Sequence, residues 1–141
     1  MVLPEQSSSK LLVVDDMPDN LFLMEAILGD VDEYDLDCVD NGEAALASIE
    51  DAIPDLILLD IMMPNMTGYE VTRRIRENKS LPHIPIILVT AHEELSAESA
   101  KRVGADGLIY KPFDIQAVLS RIEDTLQQKK RQKKGEYELC C

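Results

Sequence analysis

No apolar run in this chain approaches the roughly 20 residues that a membrane-spanning helix requires, so no span is expected. Residues 1–9 (Met-Val-Leu-Pro-Glu-Gln-Ser-Ser-Ser) lack the basic start and apolar centre of a secretory signal. They read as a loose leader. Cysteine is scarce and badly placed for a disulfide framework: Cys38 falls in a predicted strand, and Cys140 and Cys141 are adjacent at the very end. These absences together predict a cytoplasmic protein. No internal repeat is visible. Basic charge is also short in supply. The 14 Lys and Arg face 27 Asp and Glu, and five of the 14 lie within residues 129–134. Residues 1–128 therefore hold nine basic and 25 acidic residues, a net charge of −16. A body that acidic argues against nucleic acid as its ligand and suits a binder of cations.

What is present is enough chain for one packed domain: 141 residues, 45% hydrophobic and 29% charged, the balance of a folded globular protein. Its organising stretch is Asp55-Leu-Ile-Leu-Leu-Asp60, four aliphatics between two carboxylates, followed by a loop with Pro64 and Gly68. So short and apolar a run predicts a strand buried on both faces, as in the middle of a parallel sheet. Lys10–Asp15 is a second such run and Pro85–Thr90 a third. Tyr34–Val39 alternates and predicts an edge strand with one wet face. Gly107–Tyr110 predicts a short fifth strand ending at Lys111-Pro112.

Helical signals fall between the strands. Pro18 suits a first turn, and Leu21, Phe22, Met24, Glu25 and Leu28 form a stripe closing at Gly29. A cap at Asp40-Asn41-Gly42-Glu43 opens a helix through Ala44, Ala45, Leu46 and Ile49. Thr67-Gly-Tyr-Glu70 is a capping box opening a helix to about Glu77. Glu93–Val103, stopped by Gly104, is helical but carries few large apolar groups, which predicts weak packing and easy displacement. Asp114 caps a last helix with Ile115, Val118, Leu119, Ile122 and Leu126 at helical spacing. After Leu126 the stripe stops. The chain thus divides into a flexible leader (1–9), one domain (10–128) and a basic tail or linker (129–141).

Strand–helix alternation repeated five times predicts an α/β fold with a five-stranded parallel, doubly wound sheet of the flavodoxin-like type, (βα)5. Parallel strands point their carboxyl ends the same way, so Asp15, Asp16, Asp60, Thr90 and Lys111 converge on one rim, where such sheets bind ligands. Clustered carboxylates repel, and a cation relieves the repulsion. Mg²⁺ prefers oxygen ligands and takes carboxylates together with waters and phosphate oxygens. With a lysine and a threonine nearby, such a carboxylate is equipped to attack phosphorus in line. Met62, Met63 and Met66 read as loop and core packing, since thioethers suit soft metals. His83 and His92 read as loop histidines.

Four features in order carry a resemblance to the two-component response-regulator receiver family, chemotaxis regulators included: Val13-Val14-Asp15-Asp16, Asp60-Ile-Met-Met-Pro-Asn-Met-Thr-Gly68, Thr90-Ala91 and Lys111-Pro112-Phe113. The likeness covers roughly residues 10–127. It implies a signalling switch, not an enzyme beyond its own phosphorylation and slow dephosphorylation. It implies Asp60 as phosphoacceptor from a histidine kinase or histidine phosphotransfer protein. Asp16 is then a direct Mg²⁺ ligand, Asp15 a ligand largely through water, and the Met62 carbonyl another; Thr90 and Lys111 contact the phosphoryl oxygens. The Lys111-Pro112 bond is cis in the family. The residue type at His92 influences hydrolysis of the acyl phosphate. The surface of the Glu93–Val103 helix, the fifth strand and the last helix is implied to read out to a partner or a fused output domain, and a homodimer through Glu93–Leu126 is a further expectation. One departure stands out. An aromatic often lies three residues before the lysine, where this chain has Leu108; Tyr110 lies on the same strand face.

Two alternatives share these residues. A phosphatase or phosphotransferase with an aspartyl nucleophile usually has a second acid two residues later, where this chain has Met62, and a cap domain for which there is no room. A phosphorylation-independent, receiver-like interaction module would not need the intact acidic set.

Overall fold

The computed structural model describes residues 8–92, 96–112 and 114–139. Ten elements alternate: β1 (Ser9–Val14), α1 (Pro18–Leu28), β2 (Tyr34–Val39), α2 (Gly42–Asp51), β3 (Leu56–Asp60), α3 (Gly68–Glu77), β4 (Ile86–Thr90), α4 (Ala97–Arg102), β5 (Gly107–Tyr110) and α5 (Ile115–Leu139). The strands form one parallel sheet in the order β2-β1-β3-β4-β5. The expected flavodoxin-like doubly wound architecture is what the chain adopts.

The sheet is covered on both sides, which is why its central strands read as unbroken apolar runs. Side chains alternate along each strand. Leu12, Val14, Ile57, Leu59, Ile86 and Leu88 pack with Ala45, Val71, Ile75 and Ala100 from α2, α3 and α4. Leu11, Val13, Leu56, Leu58 and Ile87 pack with Met24, Leu28, Val118, Ile122 and Leu126 from α1 and α5. β2 takes the edge beside β1 and is only half-buried.

Several boundaries differ from expectation for local reasons. Ser9, read as leader, is the first residue of β1 and donates its N–H to the Glu33 carbonyl at 2.7 Å; residues 1–7 lie outside the described residues. Asp55 precedes β3 instead of opening it, and its Oδ2 accepts the Lys10 N–H at 2.7 Å. α2 is capped by Asn41, whose Oδ1 accepts the Ala44 N–H. Thr67 caps α3 as expected. Phe22 does not share the buried stripe of α1: at about 100° per residue it points away from Met24 and Leu28 and is 76% exposed. α4 spans Ala97–Arg102 only, and the expected helical residues 93–95 lie outside the described ones. α5 runs on through the basic segment to Leu139. The segment read as tail is mostly Gln, Lys, Arg and Glu with no proline, and such residues extend an existing helix at little cost, Gly135 excepted. Cys140 and Cys141 lie outside the described residues.

Ile57, fully buried in the central strand, and Phe22 make a clear contrast. Ile57→Ala should lower unfolding stability by about 2–5 kcal/mol, and Phe22→Ala by less than about 0.5 kcal/mol, read by urea denaturation of the full chain.

Candidate functional site

The carboxyl ends of β1, β3, β4 and β5 lie at one edge of the sheet. Asp60 is the last residue of β3 and is 4% exposed; Asp15 follows β1 and is 5% exposed; Thr90 ends β4 and is fully buried. Ligand oxygens of Asp15, Asp16 and Asp60 all lie within 4.8 Å of one another. They are the one such acidic group of three among the described residues. The Lys111 Nζ lies 3.1 Å from Asp15 Oδ2 and 3.7 Å from Asp60 Oδ2. The Lys111-Pro112 peptide is cis, as the resemblance implied; Phe113 lies outside the described residues.

Backbone donors hold these side chains, and side-chain patterns gave no sight of them. The Met17 N–H donates to Asp15 Oδ1 at 2.9 Å, and the Met62 backbone N–H acts to lower the Asp60 pKa. The His92 N–H donates to Thr90 Oγ1 at 3.1 Å, and the Lys111 N–H to the Thr90 carbonyl at 2.7 Å. Gly68 is a further residue, named by motif reading in the loop and at the helix start without a role of its own. A Cβ there would sit 2.5 Å from the Asp60 carbonyl oxygen, so a side chain is excluded where α3 begins against the end of β3. The signal was a glycine directly after a capping threonine.

The electrostatics favour a cation. Burial raises the Asp60 pKa most, with Asp15 and Asp16 adding repulsion, and together they outweigh the opposing pull of Lys111 and the Met62 N–H. The carboxyl titrates at about 6. Three clustered carboxylate oxygens of this kind are hard donors suited to a divalent ion such as Mg²⁺, whose charge would offset the repulsion; thioethers contribute nothing comparable. Met63 and Met66 are buried in the core, and the Met62 side chain is exposed.

The other sequence candidates sort as follows. Leu108 is buried in the core, while Tyr110, on the same face, is 42% exposed at the end of β5 and in register with Thr90. His83 lies at the opposite pole, with its Nε2 3.1 Å from Asp106 Oδ1.

Comparison with known proteins decides the family. The family model of the response regulator receiver domain matches residues 11–123. The chain belongs to that family. A probable cyclic di-GMP phosphodiesterase of Vibrio cholerae is 35% identical over 131 residues, covering 92% of this chain and 29% of the relative. The transcriptional regulatory protein ResD of Bacillus subtilis is 38% identical over 126 residues, covering 89% of this chain and 51% of the relative. The receiver domain thus spans about half or less of these curated relatives. Among solved structures, the chemotaxis protein CheY4 of Vibrio cholerae has a TM-score of 0.76 at 31% identity, covering 84% of this chain and 99% of that one. Receiver domains are signalling switches of two-component systems that bind Mg²⁺ at their acidic pocket and work with histidine kinases and output domains. No helix among the described residues is long and apolar enough to cross a membrane.

The raised Asp60 pKa has a direct consequence without divalent ion. Its protonated form contributes stability that is complete below the unfolded value near 3.8 and is lost as pH rises through about 6. Asp60→Asn removes that titration. Above pH 6 the variant should be more stable than the parent by on the order of 2–3 kcal/mol, and Mg²⁺ should stabilise only the parent appreciably, both read from denaturation curves across pH.

Proposed function

We propose that this receiver domain is a phosphorylation-activated switch whose Asp60 takes a phosphoryl group from a histidine kinase or histidine phosphotransfer protein in the cytoplasm. The observation that carries the reading is the Asp15–Asp16–Asp60 cluster with the Lys111 ammonium beside it, all at one rim of the sheet. An Asp60 carboxylate oxygen attacks phosphorus in line; the new O–P bond forms as the N–P bond to the donor imidazole breaks, and the imidazole leaves with that bond's electron pair as a neutral ring whose other nitrogen already carries its proton. Asp15, Asp16, Asp60 and the Met62 carbonyl would hold Mg²⁺, which would supply charge to the phosphoryl oxygens. Lys111 moves its ammonium from the carboxylates to the new oxygens. The Thr90 hydroxyl donates to another of them while its oxygen accepts the His92 N–H.

Three supports come from the fold. Asp60 is buried, so its phosphoryl group is shielded from bulk water yet lies at the open end of the sheet. The acidic set is complete. α4 carries a single buried side chain, Ala100, which leaves the α4–β5–α5 face as the part best able to change for a partner or output domain. Leu108 and Tyr110 leave the usual inward aromatic unmatched, so the response runs through Thr90 and the chain after it.

Acetyl phosphate with Mg²⁺ should add one phosphoryl group to the intact protein, read by mass spectrometry, and Asp60→Asn should take none. Beryllofluoride with Mg²⁺ should shift amide resonances around Asp60, Thr90 and Lys111. A parent protein silent to both reagents would sink the switch.

A further inference from the structure

Three methionines follow Asp60 within six residues, and the chemistry of the rim uses none of their side chains. The loop that carries them is closed on itself. The Ile61 N–H continues the ladder to the Val89 carbonyl at 2.9 Å, and the Gly68 N–H donates to the Ile61 carbonyl at 2.9 Å. Within that ring the side chains divide: Ile61, Met63 and Met66 are buried, whereas Met62, Pro64 and Asn65 are exposed. Between Met63 and Met66 the chain reverses. There the Met66 N–H donates to the Pro64 carbonyl at 2.8 Å, with Asn65 at a φ of +71°. A bond across one residue at such a φ is a tight, strained γ-turn, which persists only where its surroundings hold it. The buried methionines on either side of the turn do the holding. Met62 lies between the buried Ile61 and Met63, and its backbone N–H acts on the Asp60 carboxylate.

Met66 is received by α2. Gly42, the buried first residue of that helix, has no side chain to keep it out. A Cβ there would lie 2.8 Å from Met66 Sδ, 3.1 Å from Met66 Cβ and 2.8 Å from Val71 Cγ2. Val71 is fully buried near the start of α3, and a β-branched side chain in a helix has one strongly preferred rotamer, so it cannot turn aside. The bare Cα of Gly42 therefore seats both the loop after Asp60 and the helix that follows the loop.

We infer that Gly42 is a positioning residue for the phosphoacceptor site: by admitting Met66 it holds the strained loop closed, and the closed loop keeps the Met62 backbone against Asp60. The inference rests on the proposed switch at Asp60, in which the Met62 carbonyl is a Mg²⁺ ligand. Groups behind a metal ligand fix its orientation and so its affinity, even when they touch no metal themselves. The seat also gives Met66 a role that soft-metal chemistry does not: it is a packing anchor whose position is read at the carboxylate.

Mg²⁺ titration of the full chain, followed through the Asp60 and Met62 amide resonances, tests this beside the acetyl phosphate reaction. Alanine forms helix more readily than glycine, so a loss in Gly42→Ala comes from the seat and not from α2 itself. Gly42→Ala should weaken Mg²⁺ binding about tenfold, the scale of losing support behind a metal ligand. Without any ligand it should speed exchange of the Gly68 amide about tenfold, since that amide closes the loop. Met66→Ala should have effects of the same size. The double variant should lose about tenfold in Mg²⁺ affinity instead of the roughly hundredfold of independent changes, because both act through one contact. Ile49→Ala opens a cavity further along α2 in the same cluster; it should destabilise the fold yet keep Mg²⁺ affinity within about threefold. Met66→Ala against Ile49→Ala carries the comparison if Gly42→Ala does not fold. Additive losses, unchanged affinity in both seat variants, or an equal loss in Ile49→Ala overturn the seat and leave the switch standing, provided that the parent takes a phosphoryl group. A parent that takes up neither Mg²⁺ nor a phosphoryl group overturns the switch, and the seat falls with it.

Discussion

Mutual repulsion among three carboxylates, held within 4.8 Å of one another at the edge of a sheet, is the constraint that the rest of this structure answers to. Two of them are almost fully buried. Charges so placed persist only where something opposes them. In the protein alone the opposition comes from the Lys111 ammonium and from backbone N–H groups of Met17 and Met62. It is incomplete, which is why the Asp60 proton is held to about pH 6. That residual imbalance favours a divalent ion at the rim.

Holding such a cluster needs a stiff frame, and the doubly covered parallel sheet supplies it. β1 and β3 are paired over four residues and their inner side chains are sealed by helices on both faces, so Asp15 and Asp60 emerge from strand ends that cannot drift apart. Gly68 lets α3 start directly against the Asp60 carbonyl. Stiffness is not uniform. Central strands are buried throughout, whereas α4 is a short helix with one buried side chain. The site thus sits where the frame is firm and adjoins the part of the surface that is held least.

Three proteins of different kinds are similar to this chain over 84% or more of its length: a probable cyclic di-GMP phosphodiesterase, a transcriptional regulator and a chemotaxis protein. α5 continues as helix to Leu139, and at its Lys129 the Nζ meets Asp55 Oδ1 at 3.3 Å.

Local chemistry determined a good deal. Aliphatic runs specify buried strands, so β1, β3 and β4 and the parallel order of the sheet were legible, and with them the convergence of Asp15, Asp16, Asp60, Thr90 and Lys111. The capping box at Thr67 and the cap at Asp114 were equally plain. What tertiary structure decided depends on neighbours distant in the chain. The exposure of Phe22, the burial of Leu108 beside an outward Tyr110, and the Gly68 contact with Asp60 follow from which faces meet. The continuation of α5 escaped a reading based on apolar periodicity, because residues 129–138 carry no apolar period. The hydrogen bonds of Arg76 to Gly104 and Asp106 join residues 28 and 30 positions apart, and only the folded chain brings them together.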